Sequence, residues 1–116
     1  MTGKTKDAGW QVGSRRMLPL ELAEAWDLLT SQPWLRRWSG LAALDPEDPA
    51  VRSLTARRVL RVRTPHSLVQ LRVQPAVSGT TVAFHEEQLP DEQARTLRKD
   101  HWAQVLADLE SAVAAG

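Results

Sequence analysis

The sequence predicts an α+β fold in which a curved antiparallel sheet is wrapped around one long C-terminal helix. Apolar and polar residues alternate in three consecutive stretches between residues 59 and 86, as in strands with one buried face. From Ala94 to Val113, apolar residues recur every three or four positions, which is the period of a helix that covers such a sheet. We expect a single domain over residues 9–116, preceded by a flexible tail over residues 1–8.

The N-terminal part of the domain is predicted to contain a strand and two short helices. Residues 10–18 alternate as a strand does, whereas residues 21–29 place apolar side chains at i, i+3, i+4 and i+7. A second helix is predicted from Pro33 to about Trp38, because proline is favoured at a helix start and Gly40 suits a C-terminal stop.

The register of the sheet follows from two predicted turns, at residues 65–66 and 76–79. These turns place Leu60 opposite Leu71, and Leu71 opposite Phe84, on one apolar face. The other predicted pairs are Val62 with Val69 and Val73 with Val82. The face opposite this apolar one is polar, so the sheet needs a helix on one side only.

Two further elements complete the predicted fold. A proline- and acid-rich loop over residues 42–50 leads into a short strand at residues 51–55. The terminal helix is predicted to begin at Pro90, with Asp91 and Glu92 in its first turn, where the helix dipole favours acids.

Composition excludes several classes of protein. The net charge of +1 gives no overall field for a polyanion, so a nucleic-acid partner is not expected. The absence of cysteine excludes disulfides and thiolate metal sites, and suits a cytoplasmic protein. No apolar run approaches the roughly 20 residues that span a bilayer, and the polar start is unlike a secretion signal.

Two long segments carry a resemblance to a known family: WQVGSRRMLPLELAEAWDLLTS and SGTTVAFHEEQLPDEQARTLRKDHWAQVLADLE. A strand of the form TTVxFHxExLP followed by HWxxVLxxL, and an upstream RW-x-G, resemble the START-like (SRPBCC) helix-grip superfamily. The likeness is to its bacterial branch, similar to the C-terminal domain of the heat-shock protein 90 ATPase activator. The resemblance implies a groove between sheet and terminal helix. It also implies a shortened sheet, because only LAALDPEDPA fills a region that is longer in relatives.

The histidines and carboxylates offer candidate chemistry. In a strand, Glu86 points to the opposite face from His85 and Glu87, so the three cannot converge on one metal ion, and HExxH is absent. Glu86 continues the inward series and is either an acid–base group or, as we favour, a rim carboxylate that pairs with an arginine or caps a helix. His101 is either a polar group in a pocket or, as we favour, a histidine at the core edge.

Arginines cluster in the hairpin region and form either a partner surface or a solvated sheet face, the second being favoured because no aromatic residues lie among them. The cluster comprises Arg57, Arg58, Arg61, Arg63 and Arg72. In the second helix, Arg36 and Arg37 are predicted to be solvated. Trp38 is predicted to face the sheet, and Trp34 either closes a pocket or fills space that a longer sheet would have enclosed.

The leading hypothesis is a non-enzymatic domain that binds a small hydrophobic ligand or a protein partner in the groove, without a cofactor or a metal. A chaperone-associated role and a polyketide cyclase- or aromatase-like enzyme are the alternatives that the resemblance implies. A homodimer is a further possible assembly, because a shortened sheet can leave an apolar edge that needs to be covered. The predicted groove residues are Trp26, Trp34, Trp38, Leu60, Val62, Val69, Leu71, Phe84, Glu86, His101, Trp102 and Leu106.

Overall fold

A computed structural model describes residues 4–5 and 9–116, which form one antiparallel sheet and three helices. In chain order these elements are β1 (Lys4–Thr5), β2 (Gly9–Leu18), α1 (Leu22–Leu29), α2 (Trp34–Ser39), β3 (Val51–Thr55), β4 (Val59–Arg63), β5 (Leu68–Ala76), β6 (Gly79–Leu89) and α3 (Glu92–Ala115). The predicted α+β class, with two short helices after a first strand and a long terminal helix, is confirmed.

The described strands lie in the order β1-β2-β6-β5-β4-β3, and every neighbouring pair is antiparallel. Helix α3 packs on β2 and β6, while α1 packs on β5 and β6. The helices thus share the apolar face of the sheet, as a one-sided pattern of burial requires. Most of residues 1–8 lies outside the described residues, so the tail stays a prediction; Lys4–Thr5 pairs with the start of β2.

The predicted register is confirmed at both hairpins. Leu60 lies opposite Leu71, and Leu71 lies opposite Phe84. The pairs Val62 with Val69 and Val73 with Val82 also form as predicted. All these side chains are buried, so the period-two pattern alone was sufficient to orient three strands. The second hairpin needs a glycine at Gly79, because a Cβ there would lie 2.0 Å from the Leu18 carbonyl oxygen.

Helix ends differ from the predicted ones by one or two residues because of capping. Helix α3 begins after Asp91, whose carboxylate accepts the backbone N–H of Ala94 at 2.7 Å. Pro90 therefore precedes the helix and does not occupy its first position. Helix α1 likewise begins after Glu21, whose N–H donates to the Glu24 carboxylate.

Strand β2 contains a bulge between Trp10 and Val12, where its register against β6 shifts. The simple alternation predicted for residues 10–18 therefore holds only beyond the bulge. Helix α2 ends as predicted, at a left-handed Gly40 with φ of 82°. No helix in the described part of the chain is both long enough and apolar enough to cross a membrane.

An aromatic stack lies at the centre of the core. The Phe84 ring on β6 stacks on Trp102 of α3 at a centroid distance of 4.7 Å and lies 5.6 Å from Trp38 of α2. The Trp38 indole N–H donates to the Leu29 carbonyl oxygen at 2.7 Å, so this buried polar group has a partner. Through this stack, α2 and α3 both pack on the middle of the sheet.

Candidate functional site

A cleft of about 540 Å³ opens at one end of the sheet, beside the N-terminal half of α3. Its walls come from the end of α2, the turn between β4 and β5, the end of β6 and the first three turns of α3. The apolar wall residues are Trp38, Pro65, Val69, Leu89, Pro90, Ala94 and Leu97. The charged or ionisable ones are Arg36, Arg37, His66, Glu86, Arg98 and His101.

Glu86 is the buried carboxylate of this cleft and is only 3% exposed. Its Oε1 atom accepts hydrogen bonds from Arg98 Nε at 2.7 Å and from Trp102 Nε1 at 2.9 Å. The Ser67 hydroxyl donates to Oε2. Three donors therefore offset the cost of burying this charge.

Local structure brings these four residues together. Glu86 occupies an inward position of β6, two residues beyond Phe84. Arg98 and Trp102 are four residues apart on α3 and thus share the helix face that lies over β6. Ser67 is buried in the turn that precedes β5. The carboxylate consequently links a turn, a strand and a helix that are distant in sequence.

The rest of the Glu86 environment is aromatic and cationic. The Arg98 guanidinium lies 5.5 Å from the centre of the Trp102 ring, a cation–π distance. The His101 ring meets Trp102 edge-on, with 4.8 Å between ring centres. Burial lowers the pKa of His101, and the neighbouring charge of Arg98 lowers it further, while Glu86 opposes both effects. His101 is therefore neutral at neutral pH and offers a hydrogen-bonding group inside the cleft.

This shift predicts a pH dependence of stability that depends on His101. Because the pKa is lowered on folding from 6.5, the unfolded chain takes up the proton first, and stability is lost as pH falls below that value. We expect the drop in unfolding free energy between about pH 7.5 and about pH 5.5 to be larger in the wild type than in His101→Gln, as measured by urea unfolding. His66 and His85 are retained in both proteins as the background. Equal drops in the two proteins would contradict the prediction.

The structure places four of the predicted groove residues on the cleft wall: Trp38, Val69, Glu86 and His101. Seven others lie in the core behind it, namely Trp26, Leu60, Val62, Leu71, Phe84, Trp102 and Leu106. Trp34 lies at the outer edge of α2, half-buried, with the Arg37 guanidinium 5.4 Å from its ring centre. It is on neither the cleft wall nor the aromatic stack, and packs against the core from outside.

Sequence reasoning did not single out several wall residues. Arg98 could have been found, because it lies one turn before Trp102 on the inward face of a helix. Ser67 carries no such signal, because it is a turn residue that becomes buried. Leu97 belongs to the apolar series that recurs every three or four residues in the terminal helix, but it stays 62% exposed beside the cleft. Their roles depend on how the turn and helix meet, which is a tertiary property.

The other candidate groups lie away from the cleft. His85 faces β2 and bonds to Gln11 on the polar side of the sheet, so it and Glu86 point apart as predicted. Within the described residues, no cluster of three potential ligands could hold a metal ion. Arg61 pairs with Glu87 at 2.9 Å, and Arg63 bonds to Gln88. These contacts fit the solvated-face interpretation of the hairpin arginines.

Distant proteins of solved structure have the same fold. Protein SSP2350 from Staphylococcus saprophyticus has a TM-score of 0.72 at 8% identity, over 86% of this chain and 88% of that one. An AHSA1-like protein from Rhizobium etli has a TM-score of 0.66 at 18% identity, over 93% of this chain and 85% of that one. The Aha1 dimer from Colwellia psychrerythraea has a TM-score of 0.66 at 12% identity, over 89% of this chain and 95% of that one. No protein-family model matches the sequence, and no curated protein matches it.

Proposed function

We propose that this chain, which has the helix-grip fold of the START-like proteins, binds a hydrophobic small molecule in the cleft beside α3. The observation that carries the proposal is the cleft itself. Its volume of about 540 Å³ falls within the range of roughly 300–1,000 Å³ that is usual for small-molecule sites. Its wall is largely apolar with a few convergent polar groups, which is how such sites combine affinity with orientation.

The state of Glu86 favours binding over acid–base catalysis. All three of its hydrogen bonds are donated to it, and Arg98 forms an ion pair with it. A general base must be free to accept the substrate's proton, whereas this carboxylate is already engaged on both oxygens. Its role is to hold α3 and the turn containing Ser67 in the arrangement that keeps the cleft open.

Exposure of Leu97 also supports a ligand. This side chain is 62% exposed although it lies on the cleft wall, next to the half-buried Ala94. An apolar ligand in the cleft would cover it, and burial of apolar surface contributes about 25 cal/mol per Å². A protein partner is the other occupant that the sequence left open; the concave shape and modest volume favour a small molecule.

A neutral fluorescent probe, N-phenyl-1-naphthylamine, tests the proposal directly. We expect a saturable rise in its fluorescence with the wild-type protein. Ala94→Trp should strongly reduce this rise, because the indole would occupy part of the cleft. Ala103→Trp is the matched control, since residue 103 is exposed on the same helix and is not on the cleft wall.

The outcomes separate cleanly. Loss of probe binding in Ala94→Trp and its retention in Ala103→Trp would support the cleft as the site. Absence of saturable binding to the wild type, or equal binding by both variants, would contradict the proposal. Circular dichroism of both variants verifies that each is folded, and chemical-shift changes at Trp38 give an independent signal from the cleft wall.

A further inference from the structure

The arginines on the cleft wall outnumber its carboxylates. Arg36, Arg37 and Arg98 contribute three guanidinium groups, whereas Glu86 is the one carboxylate among the described wall residues. The net charge of the cleft depends on which of these arginines are paired with a carboxylate. That net charge in turn influences which ligands can bind beside the apolar surface.

Two of the three arginines are neutralised by neighbours. Arg98 pairs with Glu86 at 2.7 Å. Arg37 pairs with Asp108 of α3, and the hydrogen bond from Arg37 is the main cause of the lowered pKa of that carboxyl, which keeps it ionised. Arg36 forms no ion pair within the part of the chain that the structure describes. The cleft therefore carries one uncompensated positive charge.

We propose that the ligand is a hydrophobic carboxylic acid, whose carboxylate pairs with Arg36 while its apolar part lies against Trp38, Val69 and Leu97. This inference rests on the proposed function and specifies its ligand class. A planar guanidinium matches a carboxylate with two parallel hydrogen bonds, and a single free cation complements a monoanion.

The surroundings of Arg36 fit this role. It lies at the mouth of the cleft, with its backbone N–H held by the Gln32 side chain at 3.0 Å and its own side chain exposed. The neutral state of His101 deeper in the cleft adds no second charge. The carboxylate would thus stay at the wet mouth, where it keeps part of its hydration, and only the apolar part would be buried.

The test compares decanoic acid with 1-decanol by isothermal titration calorimetry at neutral pH, using the wild type, Arg36→Gln and Arg15→Gln. Arg15 is an exposed arginine of β2 and is the matched control, since it is not on the cleft wall. We expect the wild type to bind the acid about tenfold more tightly than the alcohol, as one charge-assisted pair at a wet site provides. Arg36→Gln should bind the two equally, and Arg15→Gln should keep the preference.

Each outcome has one meaning. Equal binding of acid and alcohol by the wild type would overturn this inference and leave the proposed function intact. A preference for the acid that survives in Arg36→Gln would also overturn it. Failure of the acid, the alcohol and the neutral naphthylamine probe to bind would overturn both proposals together.

Discussion

Replacing Trp102 with alanine is expected to lower the free energy of unfolding by about 3–5 kcal/mol, which is the usual cost of removing a large aromatic side chain from a packed core. Trp102 is fully buried, stacks on Phe84 at 4.7 Å and donates its indole N–H to Glu86 at 2.9 Å. The substitution leaves a cavity between α3 and the sheet and also removes one of three donors from a buried carboxylate.

Chemical denaturation of the wild type and two further variants measures this effect. Trp102→Phe keeps an aromatic ring but has no N–H. The stability that this variant loses therefore helps to separate the effect of the hydrogen bond from that of the packing. Trp34→Ala is the control, because that indole is half-buried at the edge of α2. A loss in Trp102→Ala no larger than in Trp34→Ala would contradict the central role of Trp102. If Trp102→Ala does not fold, the comparison of Trp102→Phe with Trp34→Ala still ranks the two sites.

Replacing Glu86 with alanine is expected to lower the free energy of unfolding by about 2–4 kcal/mol, since removing one member of a buried charged network leaves its partners without an acceptor. The indole N–H of Trp102 would be left buried and unpaired, whereas Arg98, about a third exposed, would recover hydration from solvent. Glu86→Gln should cost less, because the amide oxygen can still accept the bond from Trp102.

The adjacent residue provides a matched control. Glu87 is also ion-paired, with Arg61 at 2.9 Å, but it lies on the opposite face of β6, and the Arg61 side chain is 37% exposed. The pair is only partly buried, with the Glu87 side chain 18% exposed, and Arg61 can still reach solvent, so Glu87→Ala should cost less than Glu86→Ala. Urea unfolding of the two alanine variants gives the comparison, and similar losses at positions 86 and 87 would contradict the distinction between the two faces.

Strand register was predictable because it depends on period-two alternation and on turn length, both of which are local. The inward direction of Glu86 followed from the same alternation, extended two residues past Phe84. The partners of Glu86 did not follow, since Ser67 and Arg98 reach it only after a turn and a helix have packed together. The favoured prediction of an arginine pair is confirmed, but the carboxylate lies buried rather than at the rim.

The two tryptophans of α2 also show that contacts between elements could not be predicted from the sequence. Trp34 and Trp38 are four residues apart and therefore near one another on the helix surface, but this spacing does not fix how a six-residue helix is rotated against the sheet. In the structure Trp38 reaches the core and the cleft, whereas Trp34 lies at the edge beneath Arg37. A short helix has few contacts to define its rotation, and the indole N–H bond from Trp38 to Leu29 is one that a sequence pattern does not reveal.

The buried carboxylate also constrains how this sequence can change over evolutionary time. Ser67, Glu86, Arg98 and Trp102 come from a turn, a strand and a helix, and three of them donate hydrogen bonds to the fourth. Replacing Glu86 with an apolar residue removes the acceptor of all three donors at once, whereas a change at one donor removes a single hydrogen bond from the carboxylate. We therefore expect substitutions at these four positions to occur together, whereas Glu87, one residue away on the strand, is coupled to Arg61 instead.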